Sequence, residues 1–165
     1  MPPLIYAQVP GNLANSAQHT RAFQQLIQTR AFRWITGHKN TLFSFYAPRL
    51  HDHYRVMLNQ IHEAYPHCHQ IFDNSIWPAV TFNLGPSAVT KLHVDGENYA
   101  PGWCAVTSLG QYNPTKGRHF VLFDLKLIVK FLPGPTILIP SSTLLHGNTA
   151  IWPHERRYSF TQYAA

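Results

Sequence analysis

Lys91-Leu92-His93-Val94-Asp95-Gly96-Glu97-Asn98 places an imidazole and a carboxylate two residues apart. On an extended segment residues i and i+2 point to the same face, so His93 and Asp95 converge on one point. Alone, the pair carries little. A His-x-Asp arises by chance in many chains, and an isolated His is usually solvated or hydrogen-bonded. Its meaning depends on what lies downstream. The apolar run Ile137-Leu138-Ile139-Pro140-Ser141-Ser142-Thr143-Leu144-Leu145 delivers His146 just ahead of Gly147, 51 residues after Asp95. Eleven residues further on stands Arg157-Tyr158-Ser159. On a strand Arg157, Ser159 and Thr161 share a face and Arg156 points away. A guanidinium fork beside a hydroxyl suits the carboxylate of a small dicarboxylate, although a lone Arg is otherwise a surface cation.

The surroundings read as a β-rich domain. With 165 residues, 45% of them hydrophobic and 13% aromatic, the chain makes one domain with a real core. Charged residues are only 12%, with 13 Pro and 9 Gly, a mix that suits short strands joined by turns. The net charge of +6 and pI near 9.6 favour an anionic partner such as nucleic acid, but weakly. Two cysteines, Cys68 and Cys104, do not make a disulfide framework and read as reduced intracellular thiols. No apolar run approaches the ~20 residues of a membrane span. Met1-Pro2-Pro3-Leu4-Ile5 lacks the pattern of a secretory signal.

Residues 1–13 read as an extended arm. A helix is expected from Asn15 or Ser16, with Phe23, Leu26, Ile27, Arg30, Ala31 and Trp34 at helical spacing and Gly37 ending it. Thr41–Tyr46 (TLFSFY) is β-like. A second helix is expected from Pro48 to Pro66, its apolar face made by Leu50, Tyr54, Met57, Leu58, Ile61 and Tyr65. Strands follow at about 78–83, 87–94, 103–109, 119–124, 126–131, 135–140, 142–146 and 157–163. Helices first and then about eight short strands predict an α+β, mainly β fold: an antiparallel barrel or sandwich buttressed by helices.

Two His and one carboxylate make the facial triad of non-haem Fe(II) oxygenases, with coordination positions left open. The joint order, His-x-Asp, about fifty residues of strands, His, then Arg-x-Ser, resembles the Fe(II)/2-oxoglutarate-dependent dioxygenase superfamily. The runs PAVTFNLGPS (78–87), GWCAVTSLGQ (102–111), RHFVLFDL (118–125), GPTILIPSSTLLHGN (134–148) and RRYSFTQY (156–163) narrow it. They resemble the TET/JBP family of DNA dioxygenases, in its fungal, mushroom, transposon-associated branch, over roughly residues 76–165.

That resemblance implies a double-stranded β-helix (jelly-roll or cupin-like) core over 76–165, buttressed by a helical segment over 1–75 in one domain. It implies Fe(II) held by His93, Asp95 and His146, and 2-oxoglutarate held by Arg157 and Ser159, with His119 at its keto-acid end. The target cytosine would be met by Asn98, completing H-x-D-x-x-N, and by Tyr163 stacking on the flipped base. The partners implied are methylated DNA and O2, with no membrane, a monomeric chain and a nuclear location. The activity implied is oxidation of 5-methylcytosine to 5-hydroxymethylcytosine and on to the formyl and carboxyl forms. The same barrel would also serve N6-methyladenine, RNA or a protein side chain, or act as a non-catalytic DNA-binding module. Two departures bear on base recognition and the cosubstrate pocket: Ala165 stands where animal members have a base-reading His, and Ser87 and Val89 stand where many fungal relatives have a basic residue and a Cys.

Bland readings remain beside these. Asn98 is equally a turn residue before Pro101-Gly102, and Tyr163 a core tyrosine. His67-Cys68-His69, after Pro66, reads as a loop rather than a second metal site. Lys116, Arg118, Lys126 and Lys130 either meet phosphates or are solvated edge positions.

Overall fold

The computed structural model describes residues 9–12, 14–150 and 152–165, so most of the arm expected over 1–13 lies outside the described residues. The chain divides into two compact units, Met1–Ile76 and Trp77–Ala165.

The first unit is helical. Helix α1 (Ala17–Gln28) starts where expected, with the Ser16 hydroxyl accepting from the His19 N–H at 3.3 Å. It does not continue to Gly37. Thr29 turns extended (φ −70°, ψ 136°) and its hydroxyl donates back to the Leu26 carbonyl at 2.7 Å, in competition with the helical ladder. Helix α2 (Arg30–Tyr46) then runs straight through Gly37 and through the TLFSFY stretch expected to be β. Gly37 lies inside the helix because the Asn74 amide packs on it, 2.9 Å from where a Cβ would sit, and donates to the Arg33 carbonyl. The β-branched and aromatic residues of 41–46 are carried by the burial of Phe43, which meets Tyr54 edge-on at 5.4 Å, so packing overrides propensity. Trp34, expected on the apolar stripe, is 72% exposed. Helix α3 (Pro48–Ala64) has Pro at its first turn and buries Tyr54 and Leu58.

Among the described residues the second unit holds seven strands: β1 (Ala79–Asn83), β2 (Cys104–Gln111), β3 (Phe120–Leu122), β4 (Leu127–Val129), β5 (Thr136–Ile139), β6 (His146–Asn148) and β7 (Arg156–Tyr163). They form two antiparallel sheets, ordered β1-β7-β2-β5 and β4-β3-β6, the two halves of a double-stranded β-helix. Cys104, Phe120, Leu122, Phe131 and Ile139 make the core cluster, drawn from both sheets. Two expected strands are absent. Residues 87–94 form no ladder but are tied to the sheets by isolated bridges, Ser87 to Arg157 and His93 to His146, and by the Asn148 N–H donating to the Thr90 carbonyl at 2.9 Å. Residues 142–145 form a turn whose Thr143 and Leu144 N–H groups both donate to the Pro140 carbonyl, so β6 begins at His146 itself. Among the described residues no helix is long and apolar enough to cross a membrane.

Gly147 decides how close the two halves of the site come. A Cβ there would meet the Thr90 carbonyl oxygen at 3.0 Å and the backbone of Lys91 and Leu92 at 3.1 Å. Backbone cannot swing away as a side chain can. Gly147→Val is expected to push segment 90–93 off β6 and to destabilise the protein by about 2 kcal/mol, the overpacking range. That corresponds to a Tm lower by roughly 4–8 °C, read by circular dichroism. An unchanged Tm would mean that the close approach is not tight.

Candidate functional site

His93 arrives on the extended 87–94 segment and His146 opens β6. Their backbones exchange two hydrogen bonds, His93 N–H to His146 O at 3.0 Å and His146 N–H to His93 O at 2.9 Å. This narrow antiparallel pair brings the rings within 4.4 Å of each other. Both imidazoles are then fixed in the same way. Nδ1 of His93 lies 2.8 Å from the Lys91 carbonyl and Nδ1 of His146 lies 2.8 Å from the Leu144 carbonyl. A carbonyl only accepts, so each Nδ1 carries a proton, and the ring is turned so that each Nε2 faces Asp95. Asp95 is pinned in turn by its N–H to the Ser141 carbonyl at 3.0 Å.

The three side chains converge. Nε2 of His93 is 3.1 Å from Asp95 Oδ1, and Nε2 of His146 is 4.0 Å from Asp95 Oδ2. One ligand atom from each lies within 4.8 Å of the others, the one such group among the described residues. Cis ligands about 2.1 Å from an octahedral ion stand roughly 3 Å apart; the 3.1 Å between His93 and Asp95 matches that spacing, and the 4.0 Å to His146 would have to close on a bound ion. Two imidazoles and a carboxylate, each imidazole braced by a carbonyl, could hold a metal ion with outer support already in place. His67-Cys68-His69 forms no such group; Asn12 ties that loop through the His67 carbonyl and the His69 N–H.

The triad opens into a cleft of about 580 Å³, within the usual range of small-molecule sites. Arg157, Ser159, Thr161 and Tyr163 of β7 line it in alternation, as the strand period requires, and Arg156 faces solvent. Arg157 is 2% exposed. Its Nε donates to Ser108 Oγ at 3.2 Å and its Nη1 to the Ala88 carbonyl at 2.6 Å and to Asn148 Oδ1 at 3.1 Å. The Tyr112 hydroxyl donates to the Phe131 carbonyl at 2.8 Å, so Ser108 must donate to Tyr112 at 2.7 Å, and the chain runs in one direction. Burial pushes the Arg157 guanidinium down from its ordinary value, with Tyr112 opposing the shift and the neighbouring Arg118 adding to it. It stays charged, since arginine starts far above neutral.

Several donors remain at this end. Nη2 of Arg157 has no protein partner among the described residues. Ser159 accepts from Asn83 Nδ2 at 2.9 Å, which leaves its own proton to give. Asn148 Nδ2 is buried with no partner. Acceptors for a cation thus stand at one part of the cleft and free donors for an anion at another.

Three residues differ from the sequence reading. His119 is not in the cleft wall. Arg118, Phe120 and Leu122 are the buried alternate positions, so His119 falls on the opposite face, hydrogen-bonded through its backbone to Thr149. Phe120 lines the cleft instead, its ring stacked on His146 at 5.7 Å. Asn98 lines the cleft, but its Nδ2 points to Asp95 Oδ2 at 3.2 Å rather than into open space. Arg118 is neither a phosphate contact nor a solvated edge. It is fully buried, with Nε on Glu155 Oε2 at 3.1 Å and its guanidinium over the Tyr112 ring. Tyr163 lines the cleft and also packs on the core cluster, and its hydroxyl accepts from Thr81 at 3.3 Å. The reading missed Asn148, although the signal was present: His146-x-Asn148 obeys the same i, i+2 rule as His93-x-Asp95. Asn83, Ser108, Ser141 and Cys104 act across strands, which no local spacing reveals.

No protein-family model matches the chain, and no curated protein sequence does. Among solved structures it is similar to NgTET1 in complex with 5mC DNA, with a TM-score of 0.68, 18% identity and 90% of this chain covered. The chain spans 54% of that chain's length. At that identity the likeness establishes the fold. A viral collagen prolyl hydroxylase from Paramecium bursaria Chlorella virus-1 in its 2OG complex (TM-score 0.38, 15% identity, 69% of this chain and 72% of that one) is a more distant match. So is an RmlC-like cupin from Desulfovibrio desulfuricans (TM-score 0.35, 16% identity, 51% and 69%).

Glu155 is the counter-charge of the buried arginine pair. The Asn113 N–H donating at 2.7 Å holds its carboxyl below the ordinary value of 4.5, helped by Trp152 and Arg118 and opposed by burial. A depressed carboxylate contributes stability that is complete above its unfolded value and is lost as pH falls through its lower folded value. Urea midpoints of the wild type and Glu155→Gln should therefore differ most at pH 7 and converge toward pH 3. A difference that does not change with pH would show that the charge is not what Glu155 supplies.

Proposed function

We propose that this protein is an Fe(II)- and 2-oxoglutarate-dependent dioxygenase that oxidises the methyl group of 5-methylcytosine in DNA, to 5-hydroxymethylcytosine and on to the formyl and carboxyl forms. One observation carries the reading: a His-His-carboxylate set ready for a cation shares a cleft with free donors ready for an anion. A metal-chelating dicarboxylate is a ligand that needs both. His93 Nε2, Asp95 Oδ1 and His146 Nε2 would hold iron on one face and leave other positions open. Arg157 Nη2, the Ser159 hydroxyl and Asn148 Nδ2 would grip the distal carboxylate of the cosubstrate. Bound iron and 2-oxoglutarate supply O2 activation and hydroxylation of a methyl group, with succinate and CO2 as the coproducts. The chain's own work is orientation and exclusion of water. Phe120 shields His146, and the buried Arg157 keeps its geometry through Ser108 and Tyr112 whether or not a ligand is present.

DNA as substrate is supported by the fold shared with NgTET1, which was solved with 5mC DNA, and by the net charge of +6, which favours a polyanion. A base must leave the stack to reach the metal, at a cost of a few kcal/mol, and an aromatic wall offsets part of that. Tyr163 is the aromatic for that role. The chain would act alone, on nuclear DNA. A second reading keeps the chemistry and changes the methyl group, to N6-methyladenine, RNA or a protein side chain. It is favoured by Asn98, whose amide is turned to Asp95, and by Ala165, which offers no polar group to a base.

The test is mass spectrometry of nucleosides from 5-methylcytosine duplex DNA incubated with protein, Fe(II), ascorbate and 2-oxoglutarate. Oxidised cytosines should appear only with the cosubstrate, and His93→Ala or Asp95→Ala should abolish them. Succinate without oxidised cytosine would move the assignment to the second reading, followed up with methylated adenine, RNA and peptide. Neither product from iron-loaded protein would leave a binding module. Arg157→Lys keeps the charge and loses the fork. It is expected to raise the KM for 2-oxoglutarate by roughly 10- to 100-fold, the value of about 1.5–3 kcal/mol for hydrogen bonds to a charged group. An unchanged KM would remove Arg157 from the cosubstrate site.

A further inference from the structure

The geometry points to Asn98, backed by Ser141 and Cys104, as a clamp on Oδ2 of Asp95 that favours this carboxylate acting as a one-oxygen metal ligand through Oδ1. The inference rests on the metal reading above and names residues that act through Asp95 rather than on substrate.

Asp95 is split between two environments. Oδ1 faces His93 Nε2 at 3.1 Å. Oδ2 is met by Asn98 Nδ2 at 3.2 Å, within hydrogen-bond reach, whereas His146 Nε2 stands farther from it at 4.0 Å. A carboxylate only accepts, so the amide nitrogen, not its oxygen, must face it. The same nitrogen is 3.2 Å from both Ser141 Oγ and Cys104 Sγ, and those two atoms are 2.7 Å apart. Two amide protons serve three acceptors, so Asn98 is held at its nitrogen from several sides. Cys104 and Ser141 are 2% and 1% exposed, which makes this a built interior site rather than a surface turn. Cys104 Sγ itself stands 4.0 Å from Asp95 Oδ2. The backbone closes the unit, with Asn98 N–H on the Asp95 carbonyl at 2.9 Å and Asp95 N–H on the Ser141 carbonyl at 3.0 Å.

The chemical consequence concerns coordination. A free carboxylate can bind through both oxygens and fill an extra position. With Oδ2 held by an amide donor, rotation to a two-oxygen mode would sacrifice a charge-assisted hydrogen bond. The positions that a chelating cosubstrate and O2 require stay open. Asn98, Ser141 and Cys104 are positioning residues in this account. The amide turned to Asp95 is also one that is not offered to a base.

The experiment is titration of the metal-free full-length protein with Co(II), read by calorimetry for affinity and by visible absorption for coordination number. His93→Ala serves as the control that removes a ligand. Asn98→Ala is expected to weaken Co(II) about 10- to 100-fold, the usual effect of losing a ligand's outer support, and to change the Co(II) spectrum, with the metal-free Tm unchanged. Cys104→Ser keeps a polar partner for the amide and should bind within about threefold of wild type, whereas Cys104→Val should move toward Asn98→Ala. If Asn98→Ala folds poorly, Asn98→Leu, close in size and without the donor, is expected to show the same loss. Wild-type affinity and spectrum in Asn98→Ala would overturn the clamp and leave the triad standing. Failure of the wild type to bind Co(II) any better than His93→Ala would overturn the triad, and the clamp with it.

Discussion

Two backbone hydrogen bonds between His93 and His146 are the constraint from which the site follows. They join a segment that belongs to no sheet to the first residue of a strand, and they work only because Gly147 leaves room for the Thr90–Leu92 backbone. The same local geometry then sets both rings, because each Nδ1 finds the carbonyl two residues earlier. Neither imidazole needs to be reorganised to present Nε2. A metal bound there would cost little conformational entropy, since the three side chains are already ordered by groups outside the triad.

The other half of the cleft shows the opposite electrostatic problem. Arg157 and Arg118 are both nearly or wholly buried and close enough for Arg118 to lower the Arg157 pKa. Two buried cations with one carboxylate, Glu155, leave the interior short of negative charge. Hydrogen bonds make up part of the deficit: Ser108 and Tyr112 for Arg157, the Tyr112 ring face for Arg118. Nη1 and Nη2 of Arg118 find no partner among the described residues. A dianionic ligand seated against Arg157 would complete the charge balance, so stability and ligand affinity are linked at this end of the cleft.

Much of this was legible in the residue order. The His-x-Asp, His and Arg-x-Ser spacings obey the strand period of two, and the cleft gathers His93, Asp95, His146, Arg157 and Ser159 as that period requires. Fold class was legible too, because turn residues punctuate the β-rich half. The helical half was read less well. Thr29 broke one expected helix through a side-chain hydrogen bond, and Gly37 and TLFSFY were absorbed into α2 by packing that a local pattern does not show. His119 was placed by analogy with a motif, but strand parity at Phe120 put it on the other face. Asn98 was found in the right place with its amide aimed elsewhere, because what it meets, Ser141 and Cys104, comes from residues far along the chain or across a turn.

The exposures of the three ligands set the direction from which a substrate must come. His146 is only 7% exposed at its side chain and is covered by Phe120, whereas His93 and Asp95 are 37% and 30% exposed. A ligand set buried on one side and open on the other can meet a large partner only across the open side. That side is the 92–99 turn, where Leu92, Val94 and Tyr99 are exposed around a charged Glu97. A turn carrying apolar side chains and two acids, Asp95 and Glu97, is an unusual surface to offer to a phosphate backbone. If DNA is the substrate as proposed, contact there would run through the base rather than the phosphates, with the positive charge that attracts the polymer supplied from elsewhere on the chain. On the function proposed above, the 92–99 turn would meet the substrate and the donors around Arg157 would meet the cosubstrate.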